Sequence, residues 1–273
     1  GYFAGGINAG SPSRVSLVDR ISYTTETTQL VPSANLTEAR NFIGGAGNLS
    51  HGYFAGGGVG LYSRSTTDKL SYATNTISRP PTANLSSDRD SAASTGNSTR
   101  GYFAGGPGYS AVEKITYSSD TRTTVAGMTL VAPVRFGHAA AGNQNAGYVG
   151  GGFAYPNTYT FMEKITYSSE TKSLVPGAYL SIGRYRFAAA SNSTHAYFGG
   201  GRDFNNPYTT VDKVTFSSDT LAAVPSASFS GSNSTNFAAT GNPTNAYFAG
   251  GSGTVFPAPF ISTTDRITYS TNT

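Results

Sequence analysis

A short phrase recurs six times along the chain, and this repetition restricts the fold more than any other feature of the sequence. Each copy carries a tyrosine followed by paired glycines, as in residues 1–6 and 101–106. The anchoring tyrosines are 51, 49, 46, 49 and 50 residues apart: Tyr2, Tyr53, Tyr102, Tyr148, Tyr197 and Tyr247. A period near 50 residues is typical of propellers and of repeat arrays.

Each repeat unit reads as four short strands. One strand ends in the Gly-Gly phrase, and a second carries an acidic and a basic residue followed by apolar, hydroxyl and aromatic residues, as in residues 113–117. A proline-containing apolar stretch such as residues 174–176 and an alanine-rich run such as residues 139–141 complete the unit. Alternation with β-branched and aromatic residues predicts strands. Because only small side chains fit where blades converge, we name the Ala-rich strand A, the Gly-Gly strand B, the acid-base strand C and the Val-Pro strand D, from the centre outward.

These units predict an all-β fold, a β-propeller of four-stranded antiparallel blades forming a single domain over residues 1–273. The repeats begin near residues 1, 52, 101, 147, 196 and 246, and the last one is partial. Six B–C pairs but five D–A pairs are present, so we expect six blades, with five or seven as alternatives. The first residue is Gly1, and both ends fall inside a repeat unit. We therefore expect a part of a longer protein, with the two missing strands in a flank or the ring closed in another way.

Composition excludes several classes of protein. Charged residues are 12% of the chain, about half the usual share, whereas 34 glycines, 18 tyrosines and 16 phenylalanines favour a globular, β-rich domain. The formal charge of +4 is spread without a Lys/Arg run, which argues against nucleic acid as a partner. No apolar stretch approaches the ~20 residues of a membrane span, so we expect no membrane insertion. The absence of cysteine excludes disulfides, thiolate nucleophiles and Cys-based metal sites.

The residues that look chemical at first sight are interpreted as structural. The six acid-base dyads occur in every unit, and adjacent strand residues point to opposite faces, so we expect them to pair within or between blades. His51 and His195 occupy a repeat position that elsewhere holds Arg, Ala or Asn, and His138 has no matched acid or nucleophile. No helix or Lys-Ser/Thr follows the paired glycines as a phosphate loop requires. Among propeller enzymes, sialidases require an Asp-box core and copper radical oxidases require a Cys-Tyr crosslink, and the sequence contains neither. We therefore predict no enzyme activity, catalytic residue, metal or cofactor.

Length variation is confined to one loop of the unit. The interval from the C-strand aromatic to the next B-strand tyrosine is 30 or 31 residues, whereas the B-to-C interval ranges from 15 to 22. Strand alternation places the B–C and D–A loops on one face. Aromatic residues beside Asn, Asp and Arg can stack on a sugar ring and bind its hydroxyls, so this face is predicted to recognise glycans. The candidate ligand-binding residues are Tyr62, Tyr109, Tyr155, Tyr159, Phe204, Asn205, Tyr208 and Phe256.

The units resemble kelch repeats over nearly the whole chain, in the strand that ends in Gly-Gly, the variable loop and the following strand with its tyrosine. The kelch tryptophan is missing, and Leu30, Val125 and Leu174 occupy that region. The consensus wording GYFAGG, DKITYSSDT and VPGANLS is also similar to the repetitive propeller segments of bacteriophage tail fibres, especially of marine and cyanobacterial phages.

These resemblances imply a non-enzymatic virion appendage or adhesin module, at the virion surface or otherwise extracellular. Its partners would be a host-surface glycan or receptor and other virion proteins, with a homo-oligomer as a further option. The alternative is a cellular or extracellular kelch-type protein-interaction scaffold.

Overall fold

The chain folds as an all-β, six-bladed β-propeller of small antiparallel sheets. The computed structural model describes residues 1–8, 13–131, 134–230, 235–252, 260 and 262–273. Within these residues the only helical element is the 3₁₀ turn Pro81–Ala83, and no helix is long and apolar enough to cross a membrane. The residues group into two compact units, Gly1–Val134 and Arg135–Thr273, and each contains three blade sheets and one two-stranded hairpin. The prediction of a six-bladed propeller is thus confirmed.

The first unit contains sheets 1 to 3. Its strands are β1 (Tyr2–Ala4), β2 (Val18–Ser22), β3 (Thr27–Leu30), β4 (Gly44–Gly47), β5 (His51–Ala55), β6 (Gly58–Val59), β7 (Tyr62–Ser63), β8 (Thr67–Ser71), β9 (Thr76–Ser78), β10 (Ala93–Gly96), β11 (Arg100–Ala104), β12 (Ala111–Thr116) and β13 (Thr121–Thr129). Sheet 1 has the order β1-β2-β3, sheet 2 the order β4-β5-β8-β9 and sheet 3 the order β10-β11-β12-β13. Strands β6 and β7 form a separate hairpin in the B–C loop of sheet 2.

The second unit contains sheets 4 to 6. Its strands are β14 (Ala139–Gly142), β15 (Ala146–Gly150), β16 (Phe153–Ala154), β17 (Asn157–Thr158), β18 (Met162–Thr166), β19 (Thr171–Leu174), β20 (Ala188–Ser191), β21 (His195–Gly199), β22 (Thr210–Thr215), β23 (Thr220–Ser228), β24 (Ala238–Gly241), β25 (Asn245–Ala249) and β26 (Thr264–Thr268). Sheets 4, 5 and 6 have the orders β14-β15-β18-β19, β20-β21-β22-β23 and β24-β25-β26. Strands β16 and β17 form the B–C hairpin of sheet 4.

Strand order follows the size of the side chains. In each four-stranded sheet the A strand is at one edge and the D strand at the other, as predicted. The bounds of strand D differ from the prediction in sheet 4, because β19 ends at Leu174 and the Val175-Pro176 pair follows the strand, whereas β23 of sheet 5 includes Val224-Pro225. Neighbouring A strands lie close enough to bond directly: Ser191 Oγ donates to the Gly142 carbonyl at 2.6 Å, and Ser94 Oγ donates to the Gly45 carbonyl at 2.6 Å. Small residues in the A strands allow neighbouring strands to come this close. Sheet 1 lacks an A strand and sheet 6 lacks a D strand among the residues described, so both have three strands.

The acidic residue of the dyad binds an arginine from the D–A segment, the stretch between strands D and A (residues 175–187 for sheet 5). Arg184 Nη2 donates to Asp212 Oδ2 at 2.8 Å and to the Phe198 carbonyl at 3.0 Å, and both charged side chains are fully buried. Equivalent buried pairs are Arg40–Asp68, Arg89–Glu113 and Arg135–Glu163. Because a buried charge needs a hydrogen-bonded counter-charge, each pair fixes the D–A segment against strand C.

The basic residue of the dyad points to the other side of strand C and contacts the next sheet. Lys69 Nζ donates to both carboxylate oxygens of Asp120, at 2.9 and 2.8 Å, and the Tyr53 hydroxyl donates to the same group. Burial acts to raise the pKa of Asp120, yet the two hydrogen bonds hold this pKa below its ordinary value. The same contacts recur from Tyr148 and Lys164 to Asp219, and from Tyr197 and Lys213 to Asn272. The dyads thus join sheets, as their repetition indicated.

Candidate functional site

The B–C loops of sheets 3, 4 and 5 begin at the paired glycines and share one closing hydrogen bond. The backbone N–H of Tyr109, Tyr159 and Tyr208 donates to the carbonyl of the second glycine, at 3.0, 3.0 and 2.8 Å. These three predicted site residues therefore occupy the same repeat position, at the base of the hairpin. All three are half-buried. The Tyr109 ring lies 4.7 Å from Cζ of the buried Arg89, so this position packs over the buried arginine of its sheet.

Four other predicted site residues lie at the tips of the hairpins and are exposed. The exposed fractions are 71% for Tyr62, 83% for Tyr155 and 63% for Phe204, and Asn205 is also exposed. Tyr155 precedes Pro156 through a cis peptide bond at the tip of the β16–β17 hairpin. The last predicted residue, Phe256, lies outside the described residues. The predicted set is thus divided between hairpin bases and hairpin tips.

The tip in sheet 5 is held by one carboxylate. Asp203 Oδ1 accepts from the N–H groups of Asn205 and Asn206, at 2.7 and 2.6 Å, and Oδ2 accepts from the Tyr208 hydroxyl at 2.6 Å. Burial acts to raise the pKa of Asp203, but these hydrogen bonds keep it below its ordinary value. The hydrogen bond to Asp203 and, secondly, burial raise the pKa of Tyr208. The exposed Phe204 ring is therefore presented on a hairpin whose backbone is already ordered.

Two aromatic residues of the D–A segments join the loop face, and the sequence analysis did not identify them. Phe136 and Tyr185 each follow a buried arginine and pair through the backbone with a B–C loop: Phe136 with Phe153, and Tyr185 with Arg202. The rings of Phe136, Phe153 and Tyr185 form a half-buried cluster with centroid separations of 5.6, 6.1 and 5.0 Å. Because D–A segments hardly change in length, counting residues could not reveal this position. Variation in residue type could have revealed it, since the residue after the arginine differs from unit to unit.

The same position is polar in the first unit. Asn41 and Asp90 replace the two rings, and the backbone pairing of Asn41 with Gly58 is equivalent to that of Phe136 with Phe153. Arg14 Nε donates to Asn41 Oδ1 at 3.1 Å, and Ser63 Oγ donates to Asp90 Oδ2 at 2.8 Å. One backbone geometry therefore accepts an aromatic or a polar side chain, so the propeller itself does not require rings at this position.

The loop side chains offer ring faces, amides and guanidinium groups, which suit stacking and hydrogen bonding to a ligand. Within the described part of the chain, no three His, Asp or Glu side chains come together as metal ligands would. His51 and His195 share one repeat position, the first residue of strand B, where each Nδ1 contacts the hydroxyl of the preceding residue, at 2.9 and 2.8 Å. His138 is buried beside Gly152.

Comparison of the sequence with protein-family models gives no match, and comparison with curated proteins gives no match either.

Proposed function

We propose that this propeller is a non-enzymatic adhesin module of a virion appendage, which recognises host-surface glycans through its B–C loops. The proposal places the domain at the virion surface or otherwise outside the cell, in line with the resemblance to phage tail-fibre propellers. Its partners would be a glycan or glycosylated receptor and other proteins of the appendage.

The observation that carries this proposal is the contrast between tips and framework. Buried pairs, inter-sheet hydrogen bonds and paired glycines repeat from sheet to sheet, whereas the tips differ in length and expose large rings such as Tyr155 and Phe204. Full burial of one such ring against a partner contributes about 1.5–3 kcal/mol. Exposed rings on ordered hairpins lose little conformational freedom on binding, and this favours recognition.

Glycans fit the chemistry of these tips best. An aromatic ring stacks on the C–H face of a pyranose, and the amides of Asn205 and Asn206 can bind its hydroxyls from the same hairpin. Such contacts are individually weak, so useful affinity would come from many copies on one particle. The low charge of the chain also suits a neutral ligand.

One observation favours the alternative, a kelch-type scaffold that binds protein. The hairpin of sheet 2 exposes two adjacent apolar residues, Leu61 at 98% and Tyr62 at 71%. Leucine offers no flat face to a sugar, whereas a protein surface could bury both side chains. Binding to deglycosylated host protein would support this alternative.

The test is a glycan-array and host-cell binding assay with the domain displayed multivalently. The double variant Tyr155→Ala/Phe204→Ala removes two exposed rings from the tips and leaves the hairpin bases intact. A sugar covers only one face of each ring, so we take the stacking value of about 0.5–1.5 kcal/mol per ring rather than the value for full burial. Loss of both rings should then weaken binding roughly 5- to 150-fold.

The matched control is Tyr179→Ala, because Tyr179 is an exposed tyrosine that lies outside the loop tips. It should bind like the parent. Equal binding by the parent and the double variant would assign the tips to another role. A parent that binds no glycan and no host cell would contradict the adhesin proposal itself, and light scattering of both proteins would show whether the tips join copies of the chain.

A further inference from the structure

We infer that Phe42 and Arg186 are specificity-determining residues, which contact the glycan from the inner border of the loop face. Each lies two residues before the A strand of its sheet, at a place that we call the inner position. The inference rests on the proposed function, because it adds contacts to the same face. Loop length does not indicate these residues, since they belong to the D–A segments of nearly constant length.

Inner positions of adjacent sheets are joined through the backbone. In the first unit the Ser91 N–H donates to the Phe42 carbonyl at 2.9 Å. In the second unit the Arg186 N–H donates to the Gly137 carbonyl at 2.6 Å, and the Asn236 N–H donates to the Arg186 carbonyl at 2.8 Å. In sheets 2, 4 and 5 the preceding residue pairs with the B–C loop. The inner positions therefore border the loop face on the side of the A strands.

A left-handed backbone at the inner position disfavours the side chains that occupy it. The φ angle is 54° at Phe42, 57° at Arg186 and 60° at Asn236. Such angles crowd Cβ against the backbone, and bulky residues seldom adopt them. Gly137 occupies the same position with a φ of 67°, so the backbone accepts glycine there. An aromatic ring and a long cation are thus held where glycine or asparagine would be favoured.

A second left-handed position, in the C–D turns, provides the comparison because its residues serve the framework. Asp120 and Asp219 bind the lysine and the tyrosine of the preceding sheet. All six occupants carry a carboxylate or an amide: Glu26, Asn75, Asp120, Glu170, Asp219 and Asn272. The five inner positions that the structure describes instead hold Phe, Ser, Gly, Arg and Asn. Because the framework does not fix their chemistry, the strained side chains of Phe42 and Arg186 are assigned to recognition.

In the second unit an aromatic ring and a guanidinium lie side by side. Arg186 Cζ is 5.5 Å from the centroid of the Tyr185 ring, and that centroid is 5.0 Å from the centroid of the Phe153 ring. Phe153 is two residues from the exposed tip residue Tyr155, and two residues of extended chain span at most about 7 Å. A glycan stacked on this tip can therefore extend inward over the rings to the donors of Arg186.

In the first unit the two kinds of group change places. Phe42 is 38% exposed at the inner position, and the polar Asn41 precedes it. Ser91, at the next inner position, donates its hydroxyl to Asp90 Oδ1 at 2.8 Å. Each unit thus places a ring beside hydrogen-bonding side chains, the combination that suits the C–H face and the hydroxyls of a sugar. Because the order of these groups differs, we expect the two units to prefer different sugars.

The test replaces each residue by glycine in the full chain, as Phe42→Gly and Arg186→Gly. Both variants should keep or raise the urea midpoint of unfolding, because glycine relieves the left-handed strain. Binding is titrated with the array glycan that the parent binds most strongly. Phe42→Gly should weaken this binding about 2- to 13-fold, equivalent to about 0.5–1.5 kcal/mol for one stacked ring. Arg186→Gly should weaken it by about tenfold or more, the loss expected for hydrogen bonds from a charged group.

Specificity has its own readout, the rank order of glycans on the array. Phe42→Asn and Arg186→Asn copy the residue found at Asn236, and each should change this order. The matched control is Glu26→Gly, which relieves a left-handed residue with a φ of 54° in a C–D turn, on the opposite face. This control should keep its stability and bind like the parent.

The outcomes separate this inference from the proposed function. A parent that binds no glycan would contradict the proposed function and the inference with it. A glycan-binding parent whose two glycine variants bind equally well would overturn the inference alone. A loss of binding accompanied by a lower urea midpoint, an equal loss in Glu26→Gly, or an unchanged rank order in the asparagine variants would also overturn it.

Discussion

Replacing Asp212 by asparagine should destabilise the fold strongly, because the substitution leaves a buried arginine without its counter-charge. The Asp212 carboxylate accepts from Arg184 Nη2 at 2.8 Å and from the Ser181 N–H at 3.1 Å, and neither charged side chain is exposed. Breaking a fully buried pair by neutralising one partner costs about 3–5 kcal/mol. At roughly 2–4 °C per kcal/mol for a chain of this size, the melting temperature should fall by roughly 6–20 °C.

The assay is urea unfolding at pH 7 followed by circular dichroism, with thermal melting as a second readout. The matched control is Asp19→Asn, which changes the same repeat position where it is exposed, and it should alter stability by no more than about 0.5 kcal/mol. The double variant Arg184→Met/Asp212→Leu should be more stable than Asp212→Asn, since it leaves no unpaired buried charge. Equal losses in Asp19→Asn and Asp212→Asn, or a loss below about 1 kcal/mol in the latter, would refute the reasoning.

Three further predictions concern the repeated framework. Asp120→Asn copies the amide found at Asn272. Because folding lowers the pKa of Asp120, the stabilisation from its carboxylate is present above the unfolded pKa of about 3.9 and is lost as the pH falls through the folded pKa. Unfolding free energies measured between about pH 2 and 5 should therefore depend less on pH in this variant; an unchanged profile would contradict the assignment. Gly57→Ala should cost about 1–3 kcal/mol more than Gly6→Ala by urea unfolding, because both have positive φ but only Gly57 faces backbone within 2.8 Å. Ala190→Leu should cost about 1–3 kcal/mol by overpacking the space between neighbouring A strands, and a neutral result would show that this space is loose.

The fold could be predicted because the period and the strand anchors are explicit in the sequence. Paired glycines end strand B at positive φ, and the alanine-rich strand can lie only at the edge where neighbouring sheets approach. The buried arginines could not be predicted in the same way. Arg89 and Arg184 lie in proline-containing segments without strand alternation, and only their regular spacing distinguishes them from exposed charges.

The candidate site could be predicted only in part. Loop-length variation identified the B–C hairpins, but it could not separate the base position of Tyr159 from the tip position of Tyr155. That separation depends on where the hairpin closes onto Gly152. Phe136 and Tyr185 were missed because they belong to segments of nearly constant length, and their place beside the B–C loops follows from backbone pairing between strands distant in sequence.

A loop replacement tests the recognition proposal most directly, because the chain supplies its own short loop. Residues 153–158 and 202–207 occupy the place that Pro107-Gly108 fills in sheet 3, so each can be replaced by Pro-Gly between the same glycine and tyrosine. The measurement is binding of the multivalent domain to host cells, alongside its melting temperature. The account predicts a folded propeller that has lost most of its binding, whereas undiminished binding by the folded variant would contradict recognition through these loops.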